Sequence, residues 1–181
     1  GKRCIRCRPR SIHRATRDCR FYQYPIIVMV PSDRTRQHQR NILKSLRQGD
    51  LLRIKGNRPF KSPDVYHVFV VLNTNPAKDE LLLVVNGTTK YYKRMSYYRK
   101  RNIPPTKQPL LFIRAGKYPF FSRDTCIDCQ SISRFNPHKL DGCDIKLIKG
   151  HLDDTDFSFI ISSIATSRQV SPHYKQLIGI H

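Results

Sequence analysis

Between Lys90 and Arg101 the chain reads Lys-Tyr-Tyr-Lys-Arg-Met-Ser-Tyr-Tyr-Arg-Lys-Arg, with six cations, no acid and four tyrosines in twelve residues. Single-stranded nucleic acid is suited to that mixture, because cations neutralise phosphates while flat rings offer unpaired bases a stacking face. Lys90, Tyr91, Tyr92, Lys93, Arg94, Tyr97, Tyr98, Arg99, Lys100 and Arg101 are therefore candidate nucleic-acid contacts. The alternative is a strand or loop whose tyrosines pack on the domain while the cations stay in water. A second basic run, residues 1–20, sets Lys2, Arg3, Arg6, Arg8, Arg10, Arg14, Arg17 and Arg20 against Asp18 alone. It lacks apolar periodicity and is expected to be an arm that orders on a polyanion, or else a solvated tail. Arg3, Arg6, Arg8 and Arg10 join the candidate contacts.

These two segments hold 13 of the net +21 charges on the 181-residue chain, so the remainder is only moderately basic. Such a field favours polyanions such as RNA or DNA, with an acidic partner protein as the competing expectation. The acids gather at Asp141, Asp144, Asp153, Asp154 and Asp156, which turns the C-terminal quarter away from the polyanion. An apolar fraction of 39% excludes a wholly disordered chain. The apolar runs at 26–30, 68–72 and 81–85 fall far short of the about 20 residues a bilayer crossing needs, so no membrane span is expected. No apolar stretch of signal-peptide type follows the basic start, and a cytoplasmic protein with reduced thiols is expected.

Cys4-Ile-Arg-Cys7 and Cys126-Ile-Asp-Cys129 are two Cys-x-x-Cys pairs, but they lie far further apart in sequence than the pairs of a usual zinc set. Cys126 and Cys129 also fall in an expected strand, where side chains at i and i+3 point to opposite faces. A turn around Cys4 and Cys7, completed by Cys19 or His13, is the structural zinc site the spacing allows. The alternative is that most of these are ordinary buried or arm cysteines, and no other cofactor is expected.

The elements that must position these residues can be read coarsely. Pro25 to Pro31 encloses a short apolar run of strand type, and Ile42, Leu43 and Leu46 recur at helical spacing before Gly49, giving a helix over about 34–47. Short β-type runs follow at 51–55, 66–73, 80–86, 110–114 and 125–131, separated by turn residues. With no helical pattern between them, they predict a mainly β protein built on a small antiparallel barrel. Asp153 and Asp154 suit a helix start, and Phe157, Ile160, Ile161 and Ile164 share one helical face. Ser171-Pro172 caps a last helix that ends at Gly179. The expected organisation is a basic Cys/Arg-rich arm (1–24), a strand and helix (25–48), a barrel (49–135) and a C-terminal helical segment packing on it (136–181).

Gly49-Asp-Leu-Leu-Arg-Ile, Asn57-Arg-Pro59, His67-Val-Phe-Val-Val-Leu-Asn73 and Leu81-Leu-Leu-Val-Val-Asn-Gly-Thr-Thr89 follow one another in the order of a PemK/MazF-like toxin domain. Phe112 to Ser122 resembles the Gly-x-His-Pro-Phe segment of phage- and island-borne relatives, and Gly150-His-Leu with its Ile-rich helix is similar to the closing helix of that family. The resemblance covers about 49–178. It implies an SH3-like barrel, metal-independent cleavage of single-stranded RNA, an antitoxin partner and a homodimer. By that resemblance Arg58 matches the basic loop residue that meets the charge on phosphorus, and Thr88 and Thr89 match the Thr/Ser pair that holds the phosphate. His67 and Lys61 are further candidates on chemical grounds, a histidine titrating near neutrality and so able to act as base. Two departures stand out. The loop between Arg58 and His67 is lengthened by Pro59 to Asp64, and Tyr118 replaces a histidine of the relatives. If that histidine does chemistry, this chain binds RNA without cutting it, as a non-catalytic component of a larger ribonucleoprotein or nuclease assembly.

Overall fold

The computed structural model describes residues 33–56, 64–140 and 143–181. The expected strand at 25–31, the arm with Arg3, Arg6, Arg8, Arg10, Cys4 and Cys7, and the loop residues Arg58 and Lys61 lie outside the described residues.

Among the described residues six strands form one antiparallel sheet: β1 (Leu51–Lys55), β2 (His67–Val71), β3 (Leu82–Thr88), β4 (Leu110–Ile113), β5 (Thr125–Phe135) and β6 (Asp144–Ile148), in the order β4-β5-β3-β2-β1-β6. The described residues also form four α-helices, α1 (Asp33–Ser45), α2 (Tyr91–Arg99), α3 (Asp154–Thr166) and α4 (Pro172–Ile178). The sheet is open, with β4 and β6 at its ends and no ladder joining them among the described residues. The described chain is thus a mixed α/β structure.

The apolar runs explain why helices cover both faces. Leu82 and Val84 enter one core with Leu52, Ile54, Phe69, Ile42 of α1 and Leu46 just after that helix. Leu83 and Val85 enter the opposite core with Leu51, Val70, Ile127 and, from the C-terminal helices, Ile160, Ile164 and Ile178. An uninterrupted run such as Leu81 to Val85 is what a strand covered on both sides needs, because alternate residues point to opposite faces.

The helix ends follow their sequence signals. Asp153 caps α3 by accepting the Asp156 N–H, Ser171 caps α4 by accepting the Tyr174 N–H, and Gly179 closes α4 at φ +84°. That left-handed conformation favours glycine.

Two elements differ from expectation. The segment Lys90 to Arg101 holds a helix rather than a strand or extended loop. The C-terminal segment 136–181 is not wholly helical, since β6 pairs with β1 and completes the sheet, Leu51 facing Ile148 and Lys55 facing Asp144.

The β3–β5 ladder carries a wide irregularity. Val85 faces Ile132 and Gly87 faces Ile127, so Asn86 alone opposes residues 128–131. A bulge of this kind re-aims side chains out of the ladder. Here it presents Asp128 to α2.

Near α3, Tyr118 has a structural role. Its hydroxyl donates to Asp156 Oδ2 at 2.8 Å and accepts the Asp153 N–H at 2.9 Å, while the ring stacks on Phe120 at 5.2 Å. Lys117 Nζ bridges Asp153 and Asp156 at 2.9 and 2.8 Å. Burial pushes the Tyr118 phenol up to about 12. The Asp156 N–H and then Lys117 hold Asp153 down at about 2. A lowered carboxylate stabilises the fold above its unfolded value of about 3.9, and that contribution is lost as pH falls toward 2. A raised phenol stabilises below about 10 and is lost as pH climbs toward 12. Urea unfolding across pH is therefore expected to show falling stability at both extremes. Tyr118→Phe should lower mid-range stability by about 2 kcal/mol, through two lost hydrogen bonds, and flatten the alkaline limb. An unchanged alkaline limb would remove Tyr118 as its source.

Candidate nucleic-acid interface

An open groove of about 1250 Å³ wraps the end of the sheet where β2 begins and β3 ends. One wall is α2, another is the turn at residues 120–123, and the floor includes His67, Phe69, Asn86 and Thr88. The ladder register explains how distant residues meet here. Arg53 faces Val68 across β1–β2, and Val68 faces Gly87 across β2–β3, which puts three positions of separate strands in one row. His67 and Thr88 flank the Val68–Gly87 pair.

The helical form of α2 sorts its tyrosines and cations. Lys90, Lys93, Arg94 and Tyr97 recur at i, i+3, i+4 and i+7 and all line the groove. Tyr91 turns toward β4, its ring 4.9 Å from Phe112, and Tyr92 is 86% exposed on the far side. Tyr98 is buried, and its hydroxyl donates to Asp128 Oδ1 at 2.8 Å. Burial and that bond hold its phenol well above the ordinary value. Tyr98 is therefore no stacking face for a base, a correction to its place among the candidate contacts. Arg94 Nη1 also reaches Asp128, at 3.2 Å. One buried carboxylate thus fixes the helix to the sheet through two side chains a turn apart.

The electrostatics of the groove are one-sided. Arg53, Lys90, Lys93, Arg94, Arg123 and Arg134 contribute to its lining, and no Asp or Glu does so among the described residues. Arg94 is paired to Asp128, and the Arg134 guanidinium donates to the Tyr174 hydroxyl at 2.7 Å. Arg53, Lys90, Lys93 and Arg123 have no carboxylate within ion-pairing distance among the described residues. The first turn of α2 carries no acid either, although a helix N-terminus attracts negative charge. Converging cations with no counter-charge repel one another, and an anion in the groove relieves that repulsion.

Of the residues expected to act on a phosphate, His67, Thr88 and Thr89 all line the groove. Thr88 Oγ1 accepts the Lys90 N–H at 3.2 Å, tying the end of β3 to the start of α2. Arg99, Lys100 and Arg101 fall outside the lining. Arg53 and Arg123 were not singled out by sequence, because each is an isolated cation in an otherwise ordinary segment.

The buried thiols take no part. Cys126 and Cys129 form no disulfide, and burial raises the thiols of Cys126, Cys129 and Cys143, that of Cys129 to about 12. Among the described residues no group of three or more His, Cys, Asp or Glu could hold a metal ion, and no helix is long and apolar enough to cross a membrane. No protein-family model matches the chain, and no curated protein matches it.

Proposed function

We propose that the groove binds the backbone of single-stranded RNA and that the chain is a PemK/MazF-like toxin module whose β1–β5 region corresponds to an SH3-like barrel. The observation that carries this reading is the set of four cations, Arg53, Lys90, Lys93 and Arg123, lining a groove without a carboxylate. Phosphodiesters spaced along a flexible strand satisfy such a surface, and an open groove admits a strand of any length.

The convergence of His67 with Thr88 and Thr89 favours cleavage in the same groove. His67 would take the 2′-hydroxyl proton, the 2′-oxygen would bond to phosphorus, and the bond from phosphorus to the 5′-oxygen would break as a cationic acid protonates that oxygen. Thr88, which receives the Lys90 N–H, keeps its own proton for a phosphate oxygen. The products are a 2′,3′-cyclic phosphate and a free 5′-hydroxyl, with no metal in the balance.

The test has two readouts. Binding to an uncleavable 2′-O-methyl RNA should weaken with salt at a slope of log K on log salt near −3, about 0.7 for each of four phosphates. RNA incubated with chelator should yield cyclic-phosphate ends, and His67→Ala should abolish them. A flat salt dependence would end the binding reading. Intact RNA with steep salt dependence would leave a binding protein without the nuclease.

A further inference from the structure

We infer that Tyr97, backed by Arg101, is the seat for one unpaired base of the bound strand, beside a phosphate held by Lys93. This deepens the groove reading and rests on it. Of the four tyrosines of the basic segment, Tyr97 is the one that lines the groove. Tyr98 is buried on Asp128, Tyr91 is turned to Phe112, and Tyr92 stands outside. Tyr97 is 44% exposed and lines the groove, so it offers surface to a ligand.

Its orientation is held from two sides. The edge-on contact with Tyr98, at 5.3 Å and 90°, ties it to the residue that anchors the helix. The Arg101 guanidinium lies over the ring at 4.2 Å from its centre. A planar cation resting on an aromatic ring makes a two-layer platform, and bases stack on either component. Lys93 sits one turn earlier on the same face of α2, so an ammonium stands beside the ring as a phosphate stands beside its base.

The chain contains no tryptophan, so Tyr97→Trp introduces a single fluorescent reporter at the site. Two probes separate the base from the backbone, a 2′-O-methyl RNA oligomer and the same backbone without bases. In the full chain, Tyr97→Leu should weaken RNA binding about 5- to 150-fold and leave the abasic strand unchanged, while Tyr97→Phe should bind both as the native protein does. Tryptophan fluorescence in Tyr97→Trp should be quenched by RNA and not by the abasic strand. Equal loss on both strands in Tyr97→Leu, or undiminished RNA binding, would overturn the stacking seat while the phosphate groove stands. If the native protein binds neither probe, the groove reading fails and this inference fails with it.

Discussion

Asp128→Ala is expected to release α2 from the sheet, lowering stability by about 3 kcal/mol and abolishing measurable RNA binding. The size follows from what Asp128 holds. The Tyr98 hydroxyl is buried and donates to a charged oxygen, a bond worth about 1.5–3 kcal/mol whose loss strands the donor. The Arg94 pair adds little, because its guanidinium is well exposed to solvent. The other ties of α2 among the described residues, the Lys90 N–H on Thr88 and the Tyr91 ring on Phe112, carry no buried charge-assisted bond. At nine residues α2 is too short to persist alone, and it has neither an acid in its first turn nor a side-chain cap. Hydrogen exchange of the α2 amides distinguishes local release from global loss, and exchange should rise there well above the strands. Asp128→Asn keeps an acceptor for Tyr98 and should retain most of the stability. Native protection of α2 in Asp128→Ala would show that the carboxylate is not the anchor.

The ease with which each element was read from sequence tracks how its side chains meet the core. α3 was legible because Phe157, Ile160, Ile161 and Ile164 form a purely apolar stripe, with Ile160 and Ile164 fully buried. α2 was not, because its inward positions are Tyr91, Arg94 and Tyr98, which meet Phe112 and the Asp128 carboxylate and leave no purely apolar period. β6 was missed for a related reason. It is a short edge strand in an acidic stretch, and Leu147, one of its three apolar residues, is 43% exposed. The strands β1 to β5 were located closely, but their arrangement was not. A run such as Leu81 to Val85 fits a strand covered on both faces, and the packing of α1 on one side and α3 and α4 on the other decides that, through residues far off in sequence. The groove divides the same way. His67, the threonine pair and the α2 cations carry chemistry recognisable in a linear reading, whereas Arg53 and Arg123 join them only through strand register and the turn after Phe121.

The double reversal Lys93→Glu with Arg123→Glu is expected to weaken binding of single-stranded RNA about 100-fold at 0.15 M ionic strength. Both residues line the groove, Lys93 from α2 and Arg123 from the turn at residues 120–123, and neither has a carboxylate partner among the described residues. Their replacement therefore breaks no ion pair that holds the fold. Each reversal removes an attraction of about 1 kcal/mol at contact distance in water and installs a repulsion of similar size. Two sites give about 4 kcal/mol, which ionic screening reduces to about the 100-fold stated. The salt dependence carries the sharper diagnosis. With two of four phosphate contacts gone, the slope should shrink from about −3 to about −1.4 or less. Folding stability should stay within about 0.5 kcal/mol of the native protein, or rise, because the substitutions relieve repulsion among converging cations. The double alanine variant separates lost attraction from added repulsion, with the same reduced slope and a smaller loss of affinity. A native slope in the reversed protein would place the phosphates elsewhere on the molecule, whatever happened to the affinity.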